Sequence, residues 1–178
     1  MNWLVDDGPL GLLALEFDPT WRWPASTLHV VEEVAAGAAS DRSTRRTQLL
    51  QLKGADRPSV VVHAVAADSA AGEMLYRHLR PKGVASTKNI GEDVAIAFAA
   101  TMDSEAVFVT MDKAAAYAAL AELGPGRVAS PFDLWAHLLD AGHVSKAQYD
   151  RLLDRTWKGR GLPGVPWRFS AGRFIRGA

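Results

Sequence analysis

The segment "AVFVT", residues 106 to 110, runs without a break into "MDKAAAYAALAELG". Four successive apolar residues, two of them valine and one phenylalanine, suit a strand covered on both faces. The alanine-rich stretch after Asp112 has the spacing of a helix, and Gly124 marks its end. A buried strand feeding directly into a helix is the repeating unit of a parallel sheet, and other parts of the chain repeat it. "NWLV" leads into "PLGLLALEF", with Pro9 where a first helical turn tolerates it. "SVVVHAV" leads into "DSAAGEMLYRHLRPKG", capped at Asp68 or Ser69 and stopped at Pro81 and Gly83. "RVAS" leads into "PFDLWAHLLDAG", and "SKAQYDRLLDRTW" adds a further helix.

Between these units the pattern predicts a helix through "STLHVVEEVAAGAA", capped by Ser26 or Thr27, and another through "RRTQLLQLKG", capped by Ser43 or Thr44. "NIGEDVAIAFAATMD" is predicted as a helix with Glu92 and Asp93 in its first turn. The expectation is an α/β protein with a central, mainly parallel sheet flanked by helices in three layers. The 178 residues, 48% hydrophobic, suit one domain over residues 1–154, followed by a tail over 155–178.

Several function classes drop out. The chain has no cysteine, which excludes disulfides, thiolate metal sites and a cysteine nucleophile. No glycine-rich loop with a lysine and no dinucleotide fingerprint is present, which argues against nucleotide hydrolysis and hydride transfer. The five histidines show no metal-ligand spacing and no nucleophile elbow. A formal charge of zero supplies no global attraction to nucleic acid or membrane. No leader sequence or apolar run of membrane-spanning length is seen, so the expected compartment is the cytoplasm.

The acids carry the remaining information. In a parallel sheet, side chains at the carboxyl ends of neighbouring strands converge on one crevice. Asp6 and Asp112 stand at such ends. Glu92 and Asp93 open the helix that precedes "AVFVT", and Glu32 and Glu33 are expected in the middle of an apolar helix, where adjacent side chains diverge by about 100° and at most one faces a site. Each acid has an ordinary alternative role as a cap, a dipole partner or a solvated face. Gathered together they would repel, and a hard divalent cation would neutralise them.

These segments resemble the PIN-domain family of metal-dependent ribonucleases, which includes the toxins of bacterial toxin–antitoxin pairs. "LVDDGPLGLLA" resembles the first family motif, with Asp6 as its aspartate and Asp7 where the family usually has threonine or serine. "HVVEEV" resembles the segment bearing the second acid, Glu33 before Glu32. "NIGEDVAIAFAA" resembles the Gly-Glu segment and its helix, with Asp93 and Glu92 both retained. "VFVTMDKAAAYAALAELG" resembles the fourth motif, with Asp112 as ligand and Thr110 beside it, and "RVASPFDLWAHLLDAGHVS" resembles the last strand and helix.

The resemblance covers residues 2 to 146. It implies one or two Mg2+ or Mn2+ ions held by Asp6, Glu33, Glu92 or Asp93, and Asp112. It also implies endonucleolytic hydrolysis of single-stranded RNA leaving a 5'-phosphate, a homodimer and, in the toxin version, an antitoxin partner. The alternative on the same fold is a binding module that has lost catalysis. A receiver-like signalling domain fails because "SVVVHAV" ends without an acceptor aspartate. In the tail, Arg155, Lys158, Arg160, Arg168, Arg173 and Arg176 alternate with Trp157, Trp167, Phe169 and Phe174. That pattern suits RNA phosphates and bases or, equally, an extension that folds back over the domain or docks on a partner with its aromatics as anchors.

Overall fold

The computed structural model describes residues 2–16, 28–40, 60–80, 89–158, 167–170 and 173–176. Five strands form one sheet in the order β3-β2-β1-β4-β5. They are β1 (Asn2–Val5), β2 (Leu28–Val31), β3 (Val60–His63), β4 (Ala106–Val109) and β5 (Val128–Ala129), and every pairing is parallel. The expected three-layer α/β architecture is therefore the one observed. The helices are α1 (Asp7–Leu15), α2 (Glu32–Ser40), α3 (Ala70–Met74), α4 (Ile90–Thr101), α5 (Lys113–Leu123), α6 (Pro131–Asp140) and α7 (Lys146–Lys158). A π-helical turn, Leu75–Leu79, continues α3. Among the described residues no helix is long and apolar enough to cross a membrane.

Alternation along β1 assigns the two covering layers. Trp3 faces α6, where its ring lies 5.3 Å from that of His137. Leu4 pairs with His29, and on that opposite face His63 lies 4.4 Å from Phe98 of α4. Helix α4 is buried at six consecutive positions, Val94 to Ala99. A helix buried all round lies in a protein interior, and its alanines let α2, α3 and α5 pack against it. On the other side α7 packs on α1 and α6. Trp135, fully buried in α6, donates its indole N–H to Thr156 of α7 at 2.9 Å.

Caps fix where several helices begin. Asp6 accepts the N–H of Asp7 at 2.7 Å and Asp112 accepts the N–H groups of Ala114 and Ala115, so both acids are N-caps as well as strand-end residues. Of the two candidates for the α3 cap, Ser69 accepts the N–H of Gly72 at 3.1 Å. Gly72 has no room for a side chain: an added Cβ would lie 2.6 Å from the Ala67 carbonyl oxygen. Asp133 takes both the N–H and the hydroxyl of Ser130 at the start of α6, with Pro131 in the first helical position. Gly124, at φ 77°, ends α5 as its sequence position implies.

One predicted helix is overturned. Leu28–Val31 is a fully buried strand between β1 and β3, and only Glu32–Ser40 is helical. A strand covered on both faces carries no polar alternation, so its apolar run merges with the helical spacing that follows. Glu32 and Glu33 consequently open α2 rather than lying in its middle. The proposed caps Ser26 and Thr27, the helix through "RRTQLLQLKG" and the stop at Pro81 and Gly83 lie outside the described residues. Helix α7 runs through residue 154, where the domain was expected to end. Within the tail Trp167–Ser170 and Arg173–Arg176 form an antiparallel strand pair.

Candidate functional site

The sheet order reverses direction between β1 and β4, because the chain builds outward through β2 and β3 on one side and through β5 on the other. Such a switch point opens a crevice at the carboxyl ends of the strands. Asp6 follows β1 there, and Thr110 and Asp112 follow β4. The Asp6 carboxylate is buried, with the residue only 7% exposed. Its Oδ2 accepts the Thr110 hydroxyl at 2.8 Å, and the same Thr110 oxygen accepts the Asp112 N–H at 3.0 Å. One hydroxyl therefore bridges the Asp6 carboxylate and the backbone of Asp112.

Burial pushes the Asp6 carboxyl up from its ordinary 3.8 to about 6, against the hydrogen bonds from Thr110 and Asp7, and the charges of Asp7 and Asp112 raise it further. An acid this unfavourable in its ionised form accepts a proton or a cation readily. Asp7 is exposed in the first turn of α1. Next to it, an added Cβ at Gly8 would meet the Met111 sulfur at 3.2 Å, so the start of α1 lies against the β4–α5 connection.

The other acids form a second group. An added Cβ at Gly91 would lie 3.0 Å from Val34 Cγ2 and 3.9 Å from the Glu33 carbonyl carbon, which places the first turn of α4 directly against the first turn of α2. Glu32 is exposed, whereas Glu33 is half-buried and its Oε2 is a buried oxygen with no hydrogen-bond partner among the described residues. Glu92 and Asp93 are both half-buried in the first turn of α4. Asp93 is engaged by Arg80, whose Nε donates to its Oδ2 at 2.5 Å. The Arg80 side chain is 10% exposed and that of Asp93 25%.

The structure thus joins Asp6 with Asp112 and Glu33 with the Glu92–Asp93 turn. Among the described residues, no three acidic or histidine side chains stand together as a ready metal cage. The donor chemistry nonetheless fits a hard divalent cation: carboxylate oxygens only, one of them buried without a partner.

Two features escaped the sequence. Arg80 ends a helix in "HLRPKG" and carries no spacing signal toward Asp93, since their approach depends on the π turn. His29 and His63 lie on one face of the sheet with Nδ1 and Nε2 2.7 Å apart and ring planes nearly parallel, at 6° to each other. Burial, then His29, lowers the pKa of His63. Had "LHVV" been read as a strand beside "VVVH", strand alternation would have brought this pair together.

Part of the tail's basic and aromatic set is used internally. Arg155, with Arg151, pairs with the buried Glu16 of the α1 end, Lys158 pairs with Asp154, and Trp157 lies 5.4 Å from Phe132. No protein-family model, curated protein or solved structure matches the chain.

Proposed function

We propose that the protein is a PIN-like, Mg2+- or Mn2+-dependent endoribonuclease acting on single-stranded RNA. The observation that carries this reading is the buried Asp6 carboxylate at the topological switch point, tied through Thr110 to the turn that bears Asp112. Asp6, Glu33, Asp112 and, from the α4 turn, Glu92 or Asp93 would hold the ion. Such an ion supplies Lewis acidity and charge neutralisation at a scissile phosphate. The chain supplies the rest. Thr110 and the Asp7 N–H hold both oxygens of Asp6, which fixes the carboxylate's orientation before any ligand arrives. Asp112 is held by two N–H groups of α5, so its position is set by the helix and not by a flexible rotamer. The first turns of α2 and α4, which lie against each other, would supply the remaining acids, Glu33 and Glu92 or Asp93.

The resemblance that suggests RNA also suggests a homodimer and an antitoxin partner, and both belong to this proposal. The alternative, a PIN-like binding module without catalysis, draws on the Arg80–Asp93 ion pair, which occupies one of the candidate ligands. Purified protein incubated with pooled cellular RNA and Mn2+ or Mg2+, with chelator as control, separates the two. Metal-dependent cleavage that disappears in Asp112→Asn supports the nuclease. An absence of both cleavage and metal-induced stabilisation in the parent leaves the binding module.

A further inference from the structure

We propose that the paired strands at the end of the chain, β6 (Trp167–Ser170) and β7 (Arg173–Arg176), are its single-stranded RNA-binding element, a ribbon of arginines and aromatics on the outer edge of the sheet. The choice of RNA rests on the nuclease reading; the placement of the ribbon does not.

The chain's formal charge of zero conceals a division. Residues 159–178 hold four of its 20 lysines and arginines and none of its 20 acids, so residues 1–158 carry −4. An RNA strand approaching the acidic edge of the sheet meets a body of its own sign. The surplus of cations lies at the chain end. Arg155 and Lys158, which precede that segment, are paired with Glu16 and Asp154.

Strand pairing sorts the end segment into two faces. Trp167 stands opposite Arg176 and Phe169 opposite Phe174, while Arg168 stands opposite Ile175 and Ser170 opposite Arg173. Opposed residues share a face and successive residues alternate. One face therefore carries three aromatics with Arg176, and the other carries Arg168 and Arg173. Aromatic planes accept any unpaired base, and arginines follow the phosphates between bases. No acid interrupts the ribbon.

The ribbon also lies near the site. Strand β6 approaches β5, the last strand of the five-stranded sheet, with Cα atoms within 8 Å. Stacked sheets stand about 10 Å apart, so the ribbon meets the sheet along its edge and not across a face. On the inner side of β5, the Ala129 carbonyl accepts the Thr110 N–H at 3.3 Å, and Thr110 holds the Asp6 carboxylate. One strand thus separates the ribbon from the end of β4 that bears Thr110 and Asp112, and RNA held on the ribbon is led toward the crevice.

The test measures binding of a labelled, 2'-O-methylated RNA decamer to the full chain by anisotropy, in chelator and across a range of salt, which keeps binding apart from catalysis. The triple variant Arg168→Gln, Arg173→Gln, Arg176→Gln should bind at least about tenfold more weakly than the parent, with a log–log salt slope shallower by about 2, at about 0.7 per phosphate contact. Phe169→Leu with Phe174→Leu keeps apolar bulk and removes two stacking planes. It should weaken binding at least about fivefold and leave the slope unchanged. Affinity equal to the parent's in the arginine variant overturns the proposal. So does a leucine variant that melts earlier and binds RNA undiminished, which makes the ribbon a packing element, and so does a parent that fails to bind the decamer at about 50 mM salt. Metal-dependent cleavage that persists in an arginine variant of undiminished RNA affinity upholds the nuclease and overturns the ribbon alone. The expected binding changes in a parent without metal-dependent cleavage uphold the ribbon and remove the nuclease reading.

Discussion

Replacing Asp6 by asparagine should make the metal-free protein more stable at neutral pH and less stable in acid. In the fold, burial raises the Asp6 pKa from 3.8 to about 6. Between those values the native state binds a proton that the unfolded chain releases. The protonated carboxyl is therefore the form the fold favours. Its contribution is complete below pH 3.8 and is lost as pH rises through 6. At about 1.4 kcal/mol per pH unit the loss amounts to about 3 kcal/mol by pH 7.

Asparagine removes the charge at nearly constant volume, and its oxygen can still accept the Asp7 N–H. The amide nitrogen would face Thr110, whose hydroxyl then loses Asp6 as its acceptor. That loss costs about 1 kcal/mol. The variant should accordingly be less stable than the parent by up to about 1 kcal/mol near pH 3 to 4 and more stable by about 2 kcal/mol at pH 7, crossing between pH 4 and 5. Urea denaturation in chelator across this range gives both curves, and their difference removes contributions shared by parent and variant, such as His63. A difference independent of pH, or one favouring the parent more strongly as pH rises, would refute the assignment of a buried, ionisable Asp6. Saturating Mn2+ should then stabilise the parent, by about 2.7 kcal/mol at a hundredfold excess over Kd, and the variant far less.

Glu16→Gln should cost about 1–3 kcal/mol in urea denaturation, because the buried carboxylate holds Arg151 and Arg155 across the α1–α7 contact; a loss under about 0.5 kcal/mol would assign the pair to the solvated surface. Gly72→Ala should destabilise by about 1–3 kcal/mol despite the better helix propensity of alanine, since the new Cβ meets backbone carbonyls and not a movable side chain. A higher urea midpoint would show that the loop before α3 can retreat. His63 favours its neutral form in the fold, so its stabilising contribution is present above pH 6.5 and is lost as pH falls through its lowered pKa. His63→Gln, which retains a hydrogen-bonding group, should therefore reduce the loss of thermal stability between pH 7 and 5; an unaltered slope would remove His63 from the acid response.

How far the chain could be read in advance depended on whether a signal was local. "AVFVTMD" announces β4, Asp112 and α5 because an apolar strand, a capping acid and an alanine helix follow one another without interruption. The cap pattern of "SPFD" does the same for α6. "LHVVEEVAA" failed because Leu28, Val31 and Ala35 also fit one face of a helix, and only the pairing of β2 with β1 and β3 shows the strand. Asp6 and Asp112 were legible because their positions follow from the strands before them. Arg80 was not, because its direction comes from a π turn and its partner from a helix contact 13 residues later. His29 and His63, 34 residues apart in the sequence, required the register of two strands.

A strand at Leu28–Val31 changes how the acids after it reach the site. With Glu32 and Glu33 in the middle of a helix, their approach to Asp6 would depend on how that helix was tilted. With β2 ending at Val31, they follow the carboxyl end of a strand directly, as Asp6 and Asp112 do on β1 and β4. The acids of three strand ends therefore lie on the same edge of the sheet by topology alone. The metal-free chain meets the resulting electrostatic cost in two different ways: Asp6 gains proton affinity through burial, whereas Asp93 is paired with a cation belonging to the chain. Under the proposed nuclease reading, a divalent ion would have to displace a proton from Asp6 and a guanidinium from Asp93, and only the first displacement depends on pH. Metal affinity should therefore rise with pH through the titration of Asp6 and keep a separate, pH-independent opposition from Arg80.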